Sequence, residues 1–500
     1  MLSILISSPA INNTKYLDST HQISSETTGL EENKVPLKRI LGLTAATLLV
    51  AGNVIGTGVF KKIVPMAATG LSEYYILAAW IFAGLITMLG AFSIAGLARL
   101  TTEAGGNVEY LRICYGDFIS FLYGWTNFTV AGSGAIAAVG FIFAQSFNAL
   151  VPLPHFFGHL ESFSIGFIHP FTDATTKLIA ILIIILLTMY NYRGIKKGAA
   201  LNNVVTSAKI IGILLLIFLG FFFSQNGQAA NATFVKPMMD HYSLSTWTPI
   251  FFGVMLNAFW AYDGFSNVAA ATAEIKNPKR NIPLAIIIGV SIVLVLYVLV
   301  NYAYMSAMPL DQIAGISENK VAAIVVAQNI MGPAGMVMIS LLVLLSTFGY
   351  LNVSIILFAR FYYRMAQKKV FFYHAAKVHP RFQTPYVALI YSMIVSCLLV
   401  ISGSFDVLTD MAVFGAFSFY VLLAIGLIKM KRKRIIKEKI PAYPYAPVLF
   451  VIFILMVLTS TFINNPSRTL TGITLILSGV PFYIYFKMKK KSYNQNENSP

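Results

Sequence analysis

The sequence predicts an all-α membrane protein with about twelve transmembrane helices. Three observations predict it. Charged residues make up 11% of the chain and hydrophobic ones 57%, where a soluble domain carries about 25% charged residues. Apolar runs close to the roughly 20 residues needed to cross the hydrocarbon core recur along the chain. Between them, basic residues collect on alternate connections, the bias that orients membrane helices.

The elements follow in order. The opening MLSILISSPA has no basic start and is too short for a signal sequence, so 1–35 is expected to be a disordered cytoplasmic tail. A single transmembrane domain is expected over 36–490, with a second cytoplasmic tail over 491–500. Its first six spans lie near 40–62, 74–98, 117–150, 175–191, 199–223 and 247–271. The other six lie near 283–307, 334–362, 385–403, 406–428, 445–463 and 470–486. With both termini inside, 29 of the 36 Lys and Arg fall on the cytoplasmic side. Six fall outside (Lys61, Lys62, Lys177, Lys236, Lys320 and Arg468), and Lys209 falls within the fifth span. A multi-pass protein of the cell membrane is the expectation.

Several classes drop out. The net charge of +17 sits at the ends of apolar runs rather than along one polar face, which argues against nucleic acid. Cys114 and Cys397 alone supply neither a disulfide framework nor a zinc site of the usual spacing. No metal or cofactor motif and no Ser/Lys dyad is present, so an enzyme or receptor is disfavoured and no cofactor is expected.

Two spans carry interruptions. The first holds Gly52-Asn53-Val54-Ile55-Gly56-Thr57-Gly58-Val59-Phe60, with glycines flanking a threonine at mid-membrane. Such a segment weakens a helix and lets a ligand approach the backbone. It also fits a close-packing face between helices, and alone it does not decide. The sixth span holds Trp260-Ala261-Tyr262-Asp263-Gly264-Phe265-Ser266-Asn267, whose acid and polar residues are costly unless the helix opens there. Spans one and six hold corresponding places in two five-helix units. Paired interruptions of this kind point to a transport site built on inverted repeats.

These segments resemble the amino acid–polyamine–organocation superfamily. The first matches its G-x-G-[IV]-F signature, and Phe259 to Pro283 resembles its sixth helix and the loop that follows. Ser346-Thr347-Phe348-Gly349-Tyr350-Leu351-Asn352 looks like the eighth helix of its L-type branch. The resemblance spans about residues 36–490 and implies a LeuT-type five-plus-five inverted repeat with helices 1 and 6 broken.

It also implies amino acid transport by alternating access, as sodium-independent exchange or proton-coupled uptake. The substrate carboxylate would meet the N–H groups of Gly56, Thr57 and Gly58. The ammonium would face carbonyls at Val54, Ile55, Trp260, Ala261 and Tyr262, and Trp260 would act as a lid. Lys209 resembles a lysine that replaces sodium between helices one, five and eight in sodium-independent relatives, here beside Ser346. Asp263 would serve the open segment, or else bind a cation. A basic amino acid or polyamine antiporter is the alternative of the same fold. Eukaryotic L-type members bond a heavy chain through a cysteine between spans three and four. Residues 151–174 have none, so no disulfide-linked partner is expected. Thr57 where many members have serine, and Val108 where an aromatic is common, are the departures.

Overall fold

The computed structural model describes residues 41–101, 105–154, 163, 170–193, 198–224, 244–402 and 405–497. The expected tail at 1–35 lies outside them. Every described regular element is helical apart from one isolated bridge, Leu41 to Ile275. In chain order the helices begin with α1 (Leu43–Val54), α2 (Gly58–Lys61), α3 (Ile63–Ala67), α4 (Glu73–Leu97), α5 (Asn107–Tyr115), α6 (Asp117–Thr129) and α7 (Ala131–Leu150). They continue with α8 (Ala174–Tyr192), α9 (Gly198–Ser224), α10 (Leu244–Tyr262), α11 (Pro278–Ala307), α12 (Leu310–Ala314), α13 (Ala322–Met331) and α14 (Pro333–Gln367). The last are α15 (Tyr386–Ser402), α16 (Phe405–Arg432), α17 (Tyr445–Asn464), α18 (Pro466–Leu477) and α19 (Gly479–Glu497).

Ten described helices are long and apolar enough to cross a membrane. The remaining two predicted spans coincide with α10, which ends at the second interruption, and with the 17-residue α15. The last helix runs to Glu497, into the segment expected as a tail. Its Lys, Gln and Glu residues are good helix formers and carry the helix past the apolar stretch.

The helices satisfy their polar groups locally, as an apolar solvent demands. Thr87, Thr126, Ser146 and Thr188 each donate to the carbonyl four residues back, at 2.7–2.8 Å. Prolines open α11, α14 and α18, where a missing N–H costs nothing. Outward faces are apolar: Leu186 is 63% exposed and Phe218 60%. That pattern suits lipid rather than water.

Burial ranks the helices. The span formed by α6 and α7 is 89% buried, whereas the final one, Thr469–Lys489, is 22% buried. The broken first span lies in the centre, packed on α9 and α11.

Candidate functional site at the two helix breaks

The first span breaks at Ile55. Its φ of −71° and ψ of 80° form an inverse γ-turn, and Gly56 N donates to Val54 O at 2.7 Å. The helix resumes at Gly58. The second break follows Tyr262, where Gly264 at φ +96° turns the chain into a 3-10 segment, Asn267–Glu274. A Cβ on Gly264 would also lie 2.8 Å from Asn53 O, so conformation and space both require glycine. The two breaks touch. A Cβ on Gly58 would stand 2.5 Å from both the Cα and the Cβ of Ala261. Gly58 is therefore the point of closest approach between the broken helices, and a larger residue there would part them.

Freed carbonyls need donors at this depth. Lys209 from α9 is 1% exposed and its Nζ donates to Gly52 O and Ile55 O, each at 3.2 Å. It does not reach the surface. Tyr297 from α11 places its hydroxyl 2.9 Å from Val54 O and 3.1 Å from Ala261 O, so one proton is shared between the two breaks.

These contacts alter the expected arrangement. The carbonyls of Val54, Ile55 and Ala261, expected to face a substrate ammonium, already accept bonds from protein side chains; Val54 O, which also accepts from Gly56 N, is filled, while Ile55 O and Ala261 O each retain a second lone pair. Trp260 O accepts from Asp263 N at 3.4 Å. The Gly56 N–H is used in the γ-turn, which leaves Thr57 and Gly58 to open the second half-helix with N–H groups that have no intrahelical acceptor. Ser346 does not bond Lys209. Its hydroxyl is buried without a hydrogen-bond partner, and the Lys209 Nζ bonds run to the freed carbonyls instead. Gly349 on the same helix lies against the lysine stem, where an added Cβ would be 3.7 Å from Lys209 Cε.

A cavity of about 10 Å³, room for about one water, lies at the junction. Val54, Gly56, Thr57, Gly58, Trp260 and Asp263 line it. Asn53, Val139 and Tyr350 complete the lining. Ile55, Ala261 and Tyr262 stand behind it. Tyr262 is fully buried among Trp80 and Tyr297 and donates to Trp80 O at 3.1 Å. Asn53 is 2% exposed and its Nδ2 has no partner, which leaves a donor at the cavity wall. Asn53 and Tyr350 stood in the two quoted motifs, but only packing shows that they face the site.

Trp260 covers the cavity on one side. Its indole N–H donates to Thr57 Oγ1 at 3.4 Å, and its ring meets Phe405 edge-on, with centroids 6.2 Å apart. Beyond Phe405 opens a vestibule of about 640 Å³. Lys62, 0% exposed, donates to Asp406 at 2.7 Å, with Asp410 at 3.8 Å. Lys61 donates to Gln145 Oε1 at 2.9 Å and to the Glu318 carbonyl. Both ammoniums sit near 5 Å from the centroid of Phe405. Sequence reasoning counted these lysines only as outside charge.

On the other side the closure is neutral apart from Asp263. Tyr420 donates to Asp263 Oδ1 at 2.8 Å, and Ser266 donates to Tyr420 Oη at 3.2 Å. Asn107, which opens α5, donates to Ser266 Oγ at 2.9 Å and to Tyr123 Oη at 3.1 Å. Two residues on, burial pushes the Glu109 carboxyl up. The hydrogen bond and charge of Arg112, with Lys368 and Arg364, outweigh that and hold it below the usual carboxylate range.

The amino acid permease family profile matches residues 41–486, nearly the whole described chain. The chain belongs to that family. It is similar to the serine/threonine exchanger SteT of Bacillus subtilis (strain 168), 29% identical over 91% of this chain and 98% of the relative. It is similar to the b(0,+)-type amino acid transporter 1 of Mus musculus, 26% identical over 96% and 93%. The mouse large neutral amino acids transporter small subunit 2 is 25% identical over 92% and 84%. The permease thus stands among the amino acid–polyamine–organocation transporters near the L-type branch, and it is a transporter rather than an enzyme.

Proposed function

We propose that this permease exchanges amino acids across the cell membrane by alternating access, without sodium. The observation that carries the reading is the junction of two broken helices at one small cavity, with the Thr57 and Gly58 amides opening the second half of the first. A substrate carboxylate fits those amides and the positive helix end, and Asn53 Nδ2 offers a further donor. Val54, Ile55, Gly56, Ala261 and Tyr262 frame the site, and Trp260 closes it from the vestibule. The cavity is smaller than an amino acid, so Trp260 and Tyr350 move aside on loading. Exchange is favoured by the name of the bacterial relative.

Further readings belong here. Twelve crossings, ten of them in two inverted five-helix units, with both termini cytoplasmic, are supported by the charge bias and the paired breaks. The domain runs over 36–490. The mouse relative is named a small subunit, but this sequence has no cysteine between 151 and 174 for a disulfide-linked heavy chain. A basic amino acid or polyamine antiporter is supported by Asp263, the one acid lining the cavity. One of its oxygens is taken by Tyr420, which disfavours it.

Lys209 fixes its amino group on the two freed carbonyls, the place where a sodium-coupled transporter would borrow a cation. Uptake into proteoliposomes loaded with serine, threonine or neutral amino acids should proceed equally in choline and in sodium. Lys209→Ala leaves two carbonyls unsatisfied, at about 1–3 kcal/mol each, so transport should fall at least tenfold. Uptake that collapses in choline would remove the sodium-independent reading. Uptake that needs no internal amino acid would replace exchange with uniport or proton coupling.

A further inference from the structure

Where α4 ends and α11 begins, the loop after α16 covers a second cavity, of about 410 Å³, which shares no lining residue with the transport cavity. One wall is apolar, from Phe92 and Ala95 on α4 and Pro283, Leu284 and Ile287 on α11. The mouth is basic, with Arg99, Lys279 and Arg280 around a single acid, Glu438. Lys279 and Arg280 are exposed and occupy the first turn of α11, whose N-terminal end adds positive potential.

Arg99 is only partly satisfied. Its Nη1 donates to Lys439 O at 3.3 Å, while its Nε is buried and makes no hydrogen bond. A buried guanidinium N–H without an acceptor is costly, and a phosphate oxygen suits the fork. Glu438 answers part of the charge. Hydrogen bonding within its own backbone, then the charges of Arg99 and Lys279, hold its carboxyl below the usual range. Three cations against one carboxylate still leave the mouth positive.

A positive mouth continuous with an apolar wall fits a phosphate joined to a hydrocarbon chain. A free phosphate would leave the wall unused, and a zwitterionic lipid would bring a cation of its own beside Arg99, Lys279 and Arg280. We propose that this cavity binds an anionic phospholipid of the inner leaflet, its phosphate on Arg99, Lys279 and Arg280 and its acyl chain along Phe92, Leu284 and Ile287. Basic pockets between membrane helices on the cytoplasmic side take such headgroups. The site can reach transport mechanically, because α11 packs directly on α1, with Gly289 against Val50.

Native mass spectrometry of the full-length protein, titrated with dioctanoyl phosphatidylglycerol or dioctanoyl phosphatidylcholine, tests the proposal. Phosphatidylglycerol should bind as a saturable adduct at least tenfold more tightly than phosphatidylcholine. Arg280→Gln, at an exposed position, should weaken it about fivefold, and Arg99→Gln with Lys279→Gln about 25-fold, at about fivefold per cation. Lys433→Gln with Lys437→Gln removes equal charge from the same face outside the cavity and should change binding less than about twofold. Equal weakening by both pairs would reduce the effect to the diffuse field of the basic loops and overturn the site. Equal binding of phosphatidylcholine, or displacement of the adduct by inorganic phosphate, would overturn it as well.

Discussion

The two sides of the transport cavity are closed by different chemistry. Toward the vestibule, Lys62 is locked to Asp406 across 344 residues of sequence, and Phe405 bridges the lysines to Trp260. Away from it, a hydrogen-bonded line of Asp263, Tyr420, Ser266 and Asn107 joins the sixth-span break to α5. The closure toward the vestibule rests on charge beside open space; the opposite one rests mostly on buried neutral groups. An ion pair next to water exchanges its partner for water when it opens, so its opening is cheap in hydration. A buried neutral line must break several bonds together, which gives it cooperativity instead of strength.

The largest effect is expected at the lock beside the vestibule. Asp406→Asn removes the nearer partner of the buried Lys62 ammonium; Asp410 at 3.8 Å and the adjoining vestibule offset part of the loss, which should stay below the about 3–5 kcal/mol of a fully buried broken pair. The vestibule should then stand open, and a cysteine placed at Val407 should react faster with a water-soluble thiol reagent. Lys62→Met combined with Asp406→Leu should restore stability but not gating, and a double-mutant cycle measures the difference. Labelling unchanged in Asp406→Asn would show that the pair does not close this side.

Next in size is the cover shared by both sides. Trp260→Ala removes the ring between Thr57 and Phe405, and apparent KM for every transported amino acid should rise about tenfold or more. Trp260→Phe, which keeps the face but loses the indole N–H, should cost less than about threefold, since that bond is long at 3.4 Å.

The smallest effect is expected on the opposite side. Tyr420→Phe removes one bond of several in the line, about 1 kcal/mol net, and should raise the population open on this side by less than about fivefold. Added to Ser266→Ala, its effect should fall short of the sum of the single changes if the line acts cooperatively, because either change alone already removes the bond the two residues share. Strict additivity of the two would contradict that coupling.

Much of this was legible in the sequence. Apolar runs and basic connections announce the helices, because both depend on residues adjacent in the chain. Both breaks announce themselves through Gly56, Gly58, Asp263 and Gly264 for the same reason. What the sequence hides is pairing at a distance. Lys62 reads as a topology charge until Asp406 is placed beside it. Tyr297 reads as one more aromatic in an apolar run, yet it supplies the hydroxyl shared by both breaks. Helix rotation is hidden too: Ala261 and Tyr262 flank the cavity in sequence but face away from it, while Val139 from α7 lines it. Gly58 gains a second duty from its contact with Ala261. Gly58→Val therefore tests packing as much as ligand capture, whereas Gly56→Ala is gentler, its Cβ meeting only the Tyr350 ring at 3.4 Å.

The bridge between Leu41 and Ile275 has a kinematic consequence. Lys276 N donates to Leu41 O at 2.8 Å, which fastens the start of the first span to the segment beyond the sixth. Gly58 against Ala261 fastens the same pair near its middle. Each contact joins one half of the first span to one half of the sixth: Leu41, before the first break, meets Ile275, beyond the second, and Gly58, after the first break, meets Ala261, before the second. Paired in this way, the halves on each side of the breaks move together, which opposes a continuous channel. Such a linkage suppresses slippage, the uncoupled leak that would dissipate a gradient without carrying a substrate.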